Sequence, residues 1–293
     1  MAKEYYYLIA GLPNISLDDT KIAVRPEQFR PELKEHLSAK DYSNLELLHL
    51  PSDIQNLLYV LYKEDKRDSE GIYSHEYWQG FIDYLRDKLD SSNLACPDDY
   101  KTLPEFVGAT MLRALQLEEL PNKESLNQEL LSLFFNFVAK HKNPFIKAWF
   151  ELDRNIRNIL SAVNGRNHKI PYAQYLIGDD DVTFQLSSSH AADFGLGKEL
   201  PIFDSIMRIW EQNDILHRER GYDVYKGKWI DEQNFFEYFT IDRILGYYSK
   251  LRIIDRWIRA DAELGRQVFQ DTIDRLEHSF SFPEDFNIKI KQK

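Results

Sequence analysis

The sequence predicts an all-α protein, organised as one elongated, multi-lobed helical bundle over residues 1–293. Three observations support this fold class. Apolar residues recur at helical spacing through most of the chain, capping residues and prolines mark where these segments begin, and no polar–apolar alternation is long enough to require a sheet. The helical period is lost near residues 91–103 and 165–200, which are the candidate boundaries between lobes.

The first part of the chain leaves its structure open. Residues 5–12 form a short aromatic and apolar run that fits either an edge strand or a buried helical turn, and prolines follow at 13, 26 and 31. A helix beginning at Pro51 and another beginning at Ser74 are then clearly marked. Their apolar positions are Ile54, Leu57, Leu58 and Leu61 in the first helix, and Trp78, Phe81, Ile82, Leu85 and Leu89 in the second.

The next helices are predicted from their start signals. Residues 102–105 have the sequence TLPE, the spacing of a capping box, and open a helix that runs to about residue 117. A further helix is expected over residues 123–141. Together they continue the all-helical pattern.

Residues 143–163 carry the clearest helix of the chain. Asn143 can cap its first turn, Pro144 occupies a position where its missing N–H costs nothing, and Asn164-Gly165 predicts a left-handed stop. Both ends of the helix are thus encoded locally. Its apolar stripe consists of Phe145, Trp149, Leu152, Ile156, Ile159 or Leu160, and Val163.

Turn-forming and small polar residues dominate positions 165–200, which fits a long loop or short surface helices. Helicity returns at residues 201–217. The last third, residues 231–280, again has helical spacing, with Phe235 and Phe239 among its apolar positions and Gly246 and Gly265 as the expected interruptions.

Composition limits the classes of function. Lys and Arg number 37 against 48 Asp and Glu, a net charge of -11, so a general attraction to nucleic acids or anionic lipids is not expected. The single cysteine, Cys96, excludes an internal disulfide and a cysteine-rich zinc site and fits a reducing cytoplasm. No secretory signal or membrane-spanning segment is expected.

The sequence offers one candidate for metal chemistry. Glu46 and His49 have the Glu-x-x-His spacing found in di-iron bundles, although such a site needs a second motif and further carboxylates. Only residues 214–217 provide a similar pair. No phosphate-binding loop or nucleophile elbow is present, so we expect no catalytic site and no cofactor.

Arginines on two helices are candidates for contacts with a partner. Arg154 and Arg157 lie outside the apolar stripe of the 143–163 helix, and three more arginines recur at helical spacing later in the chain. Arginine is suited to bidentate contacts and is enriched at interfaces, but an ordinary solvated helix face explains the same pattern. The later group is Arg252, Arg256 and Arg259.

Three segments resemble two known families. Residues 153–160, DRNIRNIL, resemble a helix in the C subunit of V-type and A-type ATPases, which is called subunit d in eukaryotes, and residues 248–257 are loosely similar to a later helix of that family. Residues 5–19, YYYLIAGLPNISLDD, are similar to the start of a bacterial family encoded among V-type ATPase subunits.

The resemblance implies a non-catalytic component of the central stalk. Such a subunit links the soluble rotor shaft to the membrane ring of an ATPase that moves protons or sodium ions. Its expected partners are the other ATPase subunits, without nucleic acid or direct membrane insertion, and its expected location is the cytoplasmic face of the cell membrane. The alternatives are a helical metal-binding enzyme that uses Glu46 and His49, or an unrelated soluble scaffold protein.

Overall fold

The all-α prediction is confirmed. The computed structural model describes residues 5–91 and 93–279, and in its last helix it describes side chains as far as residue 263. Twelve α-helices and no β-strand occur in this part of the chain. None of the helices in the described ranges has the length and apolar character needed to cross a membrane.

The connections between the helices differ in length. The first six, α1 to α6, are Tyr6–Ala10, Pro26–His36, Ala39–Leu47, Leu50–Leu61, His75–Asp90 and Glu105–Leu115. The last six, α7 to α12, are Lys123–Ala139, Pro144–His168, Asp181–Ser188, Phe203–Trp210, Ile215–Gln233 and Ile241–Ser279. The longest connections follow α1, α4, α5, α8 and α9, and single 3₁₀ turns lie at Asp98–Tyr100 and Ala173–Tyr175.

The helices α4 and α5 form as the sequence predicts. The Ser74 hydroxyl caps α5 by accepting a hydrogen bond from the Tyr77 backbone N–H at 3.2 Å. The predicted apolar positions of both helices are buried except Leu89, which is half-buried. Burial of these faces joins α4 and α5 as neighbours in the core.

Two local predictions at helix starts are resolved by the structure. Residues 6–10 form the helical turn and not the edge strand, but α1 contains no buried residue, and only Tyr5 at its N-cap is buried. The capping box at 102–105 is wrong. Pro104 occupies the N-cap of α6 and makes no side-chain cap bond, while Thr102 lies in the preceding turn, two residues too early to cap the helix.

The helix α8 continues one turn past its predicted stop. Gly165 lies inside the helix and Lys169 adopts the left-handed conformation that ends it, with φ of 57°. Gly165 is needed for a different reason. The Tyr172 side chain packs so closely that a Cβ added at Gly165 would lie 2.5 Å from it. Tertiary packing, and not a helix stop, accounts for this glycine.

The prediction for the last third also requires correction. Gly246 and Gly265 do not interrupt α12, and Gly246 instead allows Asn234 to approach, since an added Cβ would lie 1.8 Å from Asn234 Nδ2. Phe235 and Phe239 do not lie on a buried helix face. They belong to the connection between α11 and α12, where both side chains are exposed.

Two hydrophobic cores share α8. Phe145 and Phe150, in its first half, belong to the larger core with α2 to α7 and α12. Ile156 and Ile159, in its second half, belong to a smaller core with α9, α10 and α11. Residues 165–200 are partly helical and supply buried side chains to this smaller core. One continuous helix therefore connects the two packed regions.

The Asn143 side chain fixes the start of α8 and provides the first testable prediction. Its Oδ1 accepts from the Ile146 N–H at 2.8 Å, and its Nδ2 donates to Asp242 Oδ1 of α12 at 2.5 Å. Asn143→Ala should lower the free energy of unfolding by about 2 kcal/mol, measured by urea denaturation. Asn122→Ala at α7 removes only a cap, without an interhelical bond, and should cost about 1 kcal/mol or less. Equal losses would contradict the interhelical role.

Candidate functional site

Arg252 of α12 contacts the protein interior. Its Nε donates to Glu70 Oε2 at 2.8 Å and its NH1 to the Leu48 carbonyl at 2.7 Å. The side chain is 16% exposed. Arg252 therefore attaches α12 to the segments around α3 and α4.

The two arginines that follow on α12 are paired in the same way. Arg256 donates to Asp223 of α11, a buried carboxylate that also accepts from Trp257 Nε1 at 2.6 Å. Arg259 lies 2.5 Å from both the buried Asp255 and Glu27 of α2. These contacts connect α12 to α11 and α2, so the three later arginines have structural partners within the chain.

The two arginines of α8 differ from each other. Arg154 donates to Asp180, the N-cap residue of α9, and its side chain is 14% exposed. Arg157 is exposed and makes no hydrogen bond or ion pair with the described residues. Of the five predicted interface arginines, Arg157 is the one without an ion pair in the described part of the chain.

The geometry around His49 fits a structural role. The ring is buried, with Nδ1 2.6 Å from the Glu70 carbonyl and Nε2 2.9 Å from the Tyr248 hydroxyl. Burial and the nearby Arg252 charge lower the pKa of the imidazole well below 6.5, so the ring is neutral. Both nitrogens are already hydrogen-bonded. No group of three or more metal-ligating side chains occurs within the described ranges.

Glu46 lies in a pocket together with a carboxyl group that the sequence analysis did not single out. Asp53 of α4 is 1% exposed; its Oδ1 accepts from the Ile72 and Tyr73 backbone N–H groups at 3.0 and 3.1 Å, and its Oδ2 has no partner. Burial raises the pKa of Asp53 from 3.8 to about 7 and also raises that of Glu46. Asp53 Oδ2 is therefore a buried carboxyl oxygen without a hydrogen-bond partner among the described residues.

An exposed aromatic surface forms where α1 meets the connection between α11 and α12. The Tyr6 and Phe239 ring centroids lie 4.3 Å apart, and the Tyr5 N–H donates to the Phe239 carbonyl at 2.8 Å. Tyr7 is 97% exposed and Phe236 is 77% exposed. We define the aromatic surface as Tyr6, Tyr7, Phe235, Phe236, Tyr238 and Phe239.

The sequence does not predict this surface, because Phe235 and Phe239 have the spacing of a helix face. One signal against that assignment was available. Positions 235, 236, 238 and 239 are all aromatic, and adjacent residues cannot share one narrow helical stripe. Contiguous exposed apolar area of this kind is typical of interaction sites.

These features define a class of protein: an all-helical protein with two cores, an exposed aromatic surface and a small acidic pocket. The chain belongs to the family described as protein of unknown function (DUF2764), which matches residues 1–280. Neither a curated protein nor a solved structure matches the chain.

Proposed function

We propose that this protein is a non-catalytic connector in the central stalk of a V-type ATPase, joining the rotor shaft to the membrane ring. It lies at the cytoplasmic face of the membrane, held there by the other subunits. Support comes from the resemblance of residues 5–19 and 153–160 to proteins of such complexes. The ion that is moved belongs to the ring and does not concern this chain.

The observation that carries the proposal is the path of α8 through both cores. A connector that transmits torque must resist local deformation, and closely packed interiors have low compressibility. Because α8 is one 25-residue helix with buried residues at both ends, movement of one core is passed directly to the other. Arg154 and Arg252 add charged contacts between helices on either side.

The aromatic surface is the proposed contact with the rotor. Aromatic side chains are enriched at interfaces because they bury a large area with few rotatable bonds. Arg157 is a further candidate on a separate face. Charge reversal at Arg252, Arg256 and Arg259 would not test binding cleanly, because each of these arginines already pairs with a carboxylate of this chain.

The test is capture of the complex from cells of the natural host. Tagged wild-type protein should retain the rotor-shaft and ring subunits, identified by mass spectrometry. The double variant Phe235→Ser/Phe236→Ser should lose most of them while keeping its helical circular dichroism spectrum, since both side chains are exposed and contribute little to the core.

Phe184→Ser is the matched control, because Phe184 is 68% exposed on α9 and lies outside the aromatic surface. It should capture the same subunits as wild type. If the wild-type protein retains no ATPase subunit under conditions that preserve the complex, the proposed function is rejected. If all three proteins capture equally, only the assignment of the contact surface fails.

A further inference from the structure

A small pocket lies between α3, α4 and the segments that precede α5 and α6. Its volume is about 170 Å³. For comparison, an engineered protein cavity of about 150 Å³ binds benzene. Leucine, proline and phenylalanine side chains form the apolar part of the wall, and the polar side chains are Ser43, Glu46, Asp53, Tyr73, Thr102 and His141.

The pocket contains carboxyl groups that are not fully hydrogen-bonded by the described residues. Asp53 Oδ2 is buried and has no hydrogen-bond partner, although Oδ1 of the same carboxyl is held in place by two backbone N–H groups. Glu46 is half-buried, and no hydrogen bond or ion pair joins its carboxylate to another described residue. A buried acceptor without a partner is costly, and proteins usually satisfy it with water or a ligand.

No positive charge of the protein fills this place. The His141 ring is neutral, because burial lowers its pKa, and its Nδ1 accepts from the Asn143 N–H at 3.1 Å. Lys34 and Arg30 stabilise the charge of Glu46 from a distance and form no ion pair with it in the described part of the chain. The pocket is therefore acidic, and its carboxyl oxygens can accept hydrogen bonds from a ligand.

We propose that this pocket binds a small organic amine, with the ammonium group donating to Asp53 Oδ2 and Glu46 and an apolar body of about benzene size against the leucine and phenylalanine wall. An ammonium group carries three donors and no acceptor, which matches the unpartnered oxygens. Hydrogen bonds between charged groups are also the stronger kind.

Other ligand classes match the pocket less well. Hard metal ions prefer about six or more oxygen ligands. No group of three or more metal-ligating side chains is found in the described ranges. An anion would be repelled by the carboxyl groups of Glu46 and Asp53. A neutral ring of the same size lacks the donors that these oxygens require.

The experiment uses the full chain and benzylamine as the probe, with benzyl alcohol as the neutral analogue of the same shape. Binding is followed at about pH 8, above the Asp53 pKa of about 7, by isothermal titration calorimetry and by chemical shifts of the pocket methyl groups. Benzylamine should bind at least about tenfold more tightly than benzyl alcohol, because two charged hydrogen bonds are added.

Three variants locate the site. Glu46→Gln and Asp53→Asn should each weaken benzylamine binding about tenfold or more and leave benzyl alcohol binding unchanged. Glu219→Gln should have no effect. Glu219 is exposed on α11, the helix that packs in the smaller core. The Glu46 carboxylate makes no hydrogen bond with the described residues, so Glu46→Gln tests the pocket independently of Asp53→Asn.

Two results would overturn the proposal. One is the absence of saturable benzylamine binding at millimolar concentrations, with no shift of the pocket methyl groups. The other is equal binding of the amine and the alcohol, or equal binding to wild type and Glu46→Gln, which would show that the carboxylates do not recognise the ligand.

Discussion

Ile159→Ala should lower the free energy of unfolding by about 2–5 kcal/mol, which is the largest loss that we expect from a single substitution in α8. Ile159 has 0% exposed surface and lies in the smaller core. Truncation removes buried methyl groups and leaves a cavity that rigid neighbours fill only in part. Urea denaturation of the full chain measures the effect.

Two neighbouring positions serve as controls. Leu160 is half-buried at the edge of the same core, so Leu160→Ala should cost less than Ile159→Ala. Arg157→Ala should change the free energy of unfolding by less than about 0.5 kcal/mol, because the side chain is exposed and unpaired in the described part of the chain. The reverse order, with Leu160 the most sensitive, would mean that α8 is rotated relative to the cores.

Asp53→Asn should change how stability depends on pH. The folded protein holds the Asp53 proton more tightly than the unfolded chain does, since burial raises the pKa of this carboxyl from 3.8 to about 7. The stability that protonation contributes is fully present below the unfolded pKa and is lost as the pH rises through the folded pKa. Asparagine stays neutral in both states and loses nothing over this range.

The size of the effect follows from the shift. A difference of about three pKa units corresponds to about 4 kcal/mol. Relative to wild type, Asp53→Asn should therefore gain up to about 4 kcal/mol in its free energy of unfolding between about pH 4 and pH 8. The charged and titratable groups that face this carboxyl are Arg30, Glu46, Tyr73, Tyr77, His141 and Arg252.

The measurement compares denaturation curves of both proteins at the two pH values. Ile159→Ala changes no titratable group, so its difference from wild type should be the same at both. If the difference between Asp53→Asn and wild type is also independent of pH, Asp53 does not titrate in this range and the burial argument for it is wrong.

The Glu46–His49 spacing predicts only part of the acidic pocket. The Glu-x-x-His spacing drew attention to Glu46 and His49, but the two side chains have different surroundings: His49 is hydrogen-bonded on both nitrogens, and Glu46 faces the pocket. Asp53 gave no signal, since an acidic residue in the first turn of a helix is ordinary. Its burial depends on the backbone of residues 72–73, which α4 alone does not specify.

The sequence by itself determined the starts and buried faces of several helices. Apolar spacing and capping groups act over a few residues, so the starts of α5 and α8 and the buried faces of α4 and α5 were predictable from local patterns. The fold class follows from the same short-range information.

Only the tertiary structure decided which residues meet across long separations in the chain. Tyr172 packs against Gly165, which lies inside α8 and not at its end, and Arg252 reaches Glu70 across 182 residues of sequence. The exposure of Phe236 and the missing partner of Asp53 Oδ2 likewise depend on what the other helices cover. Burial is a property of the whole packed arrangement, and a local pattern cannot specify which neighbours will provide it.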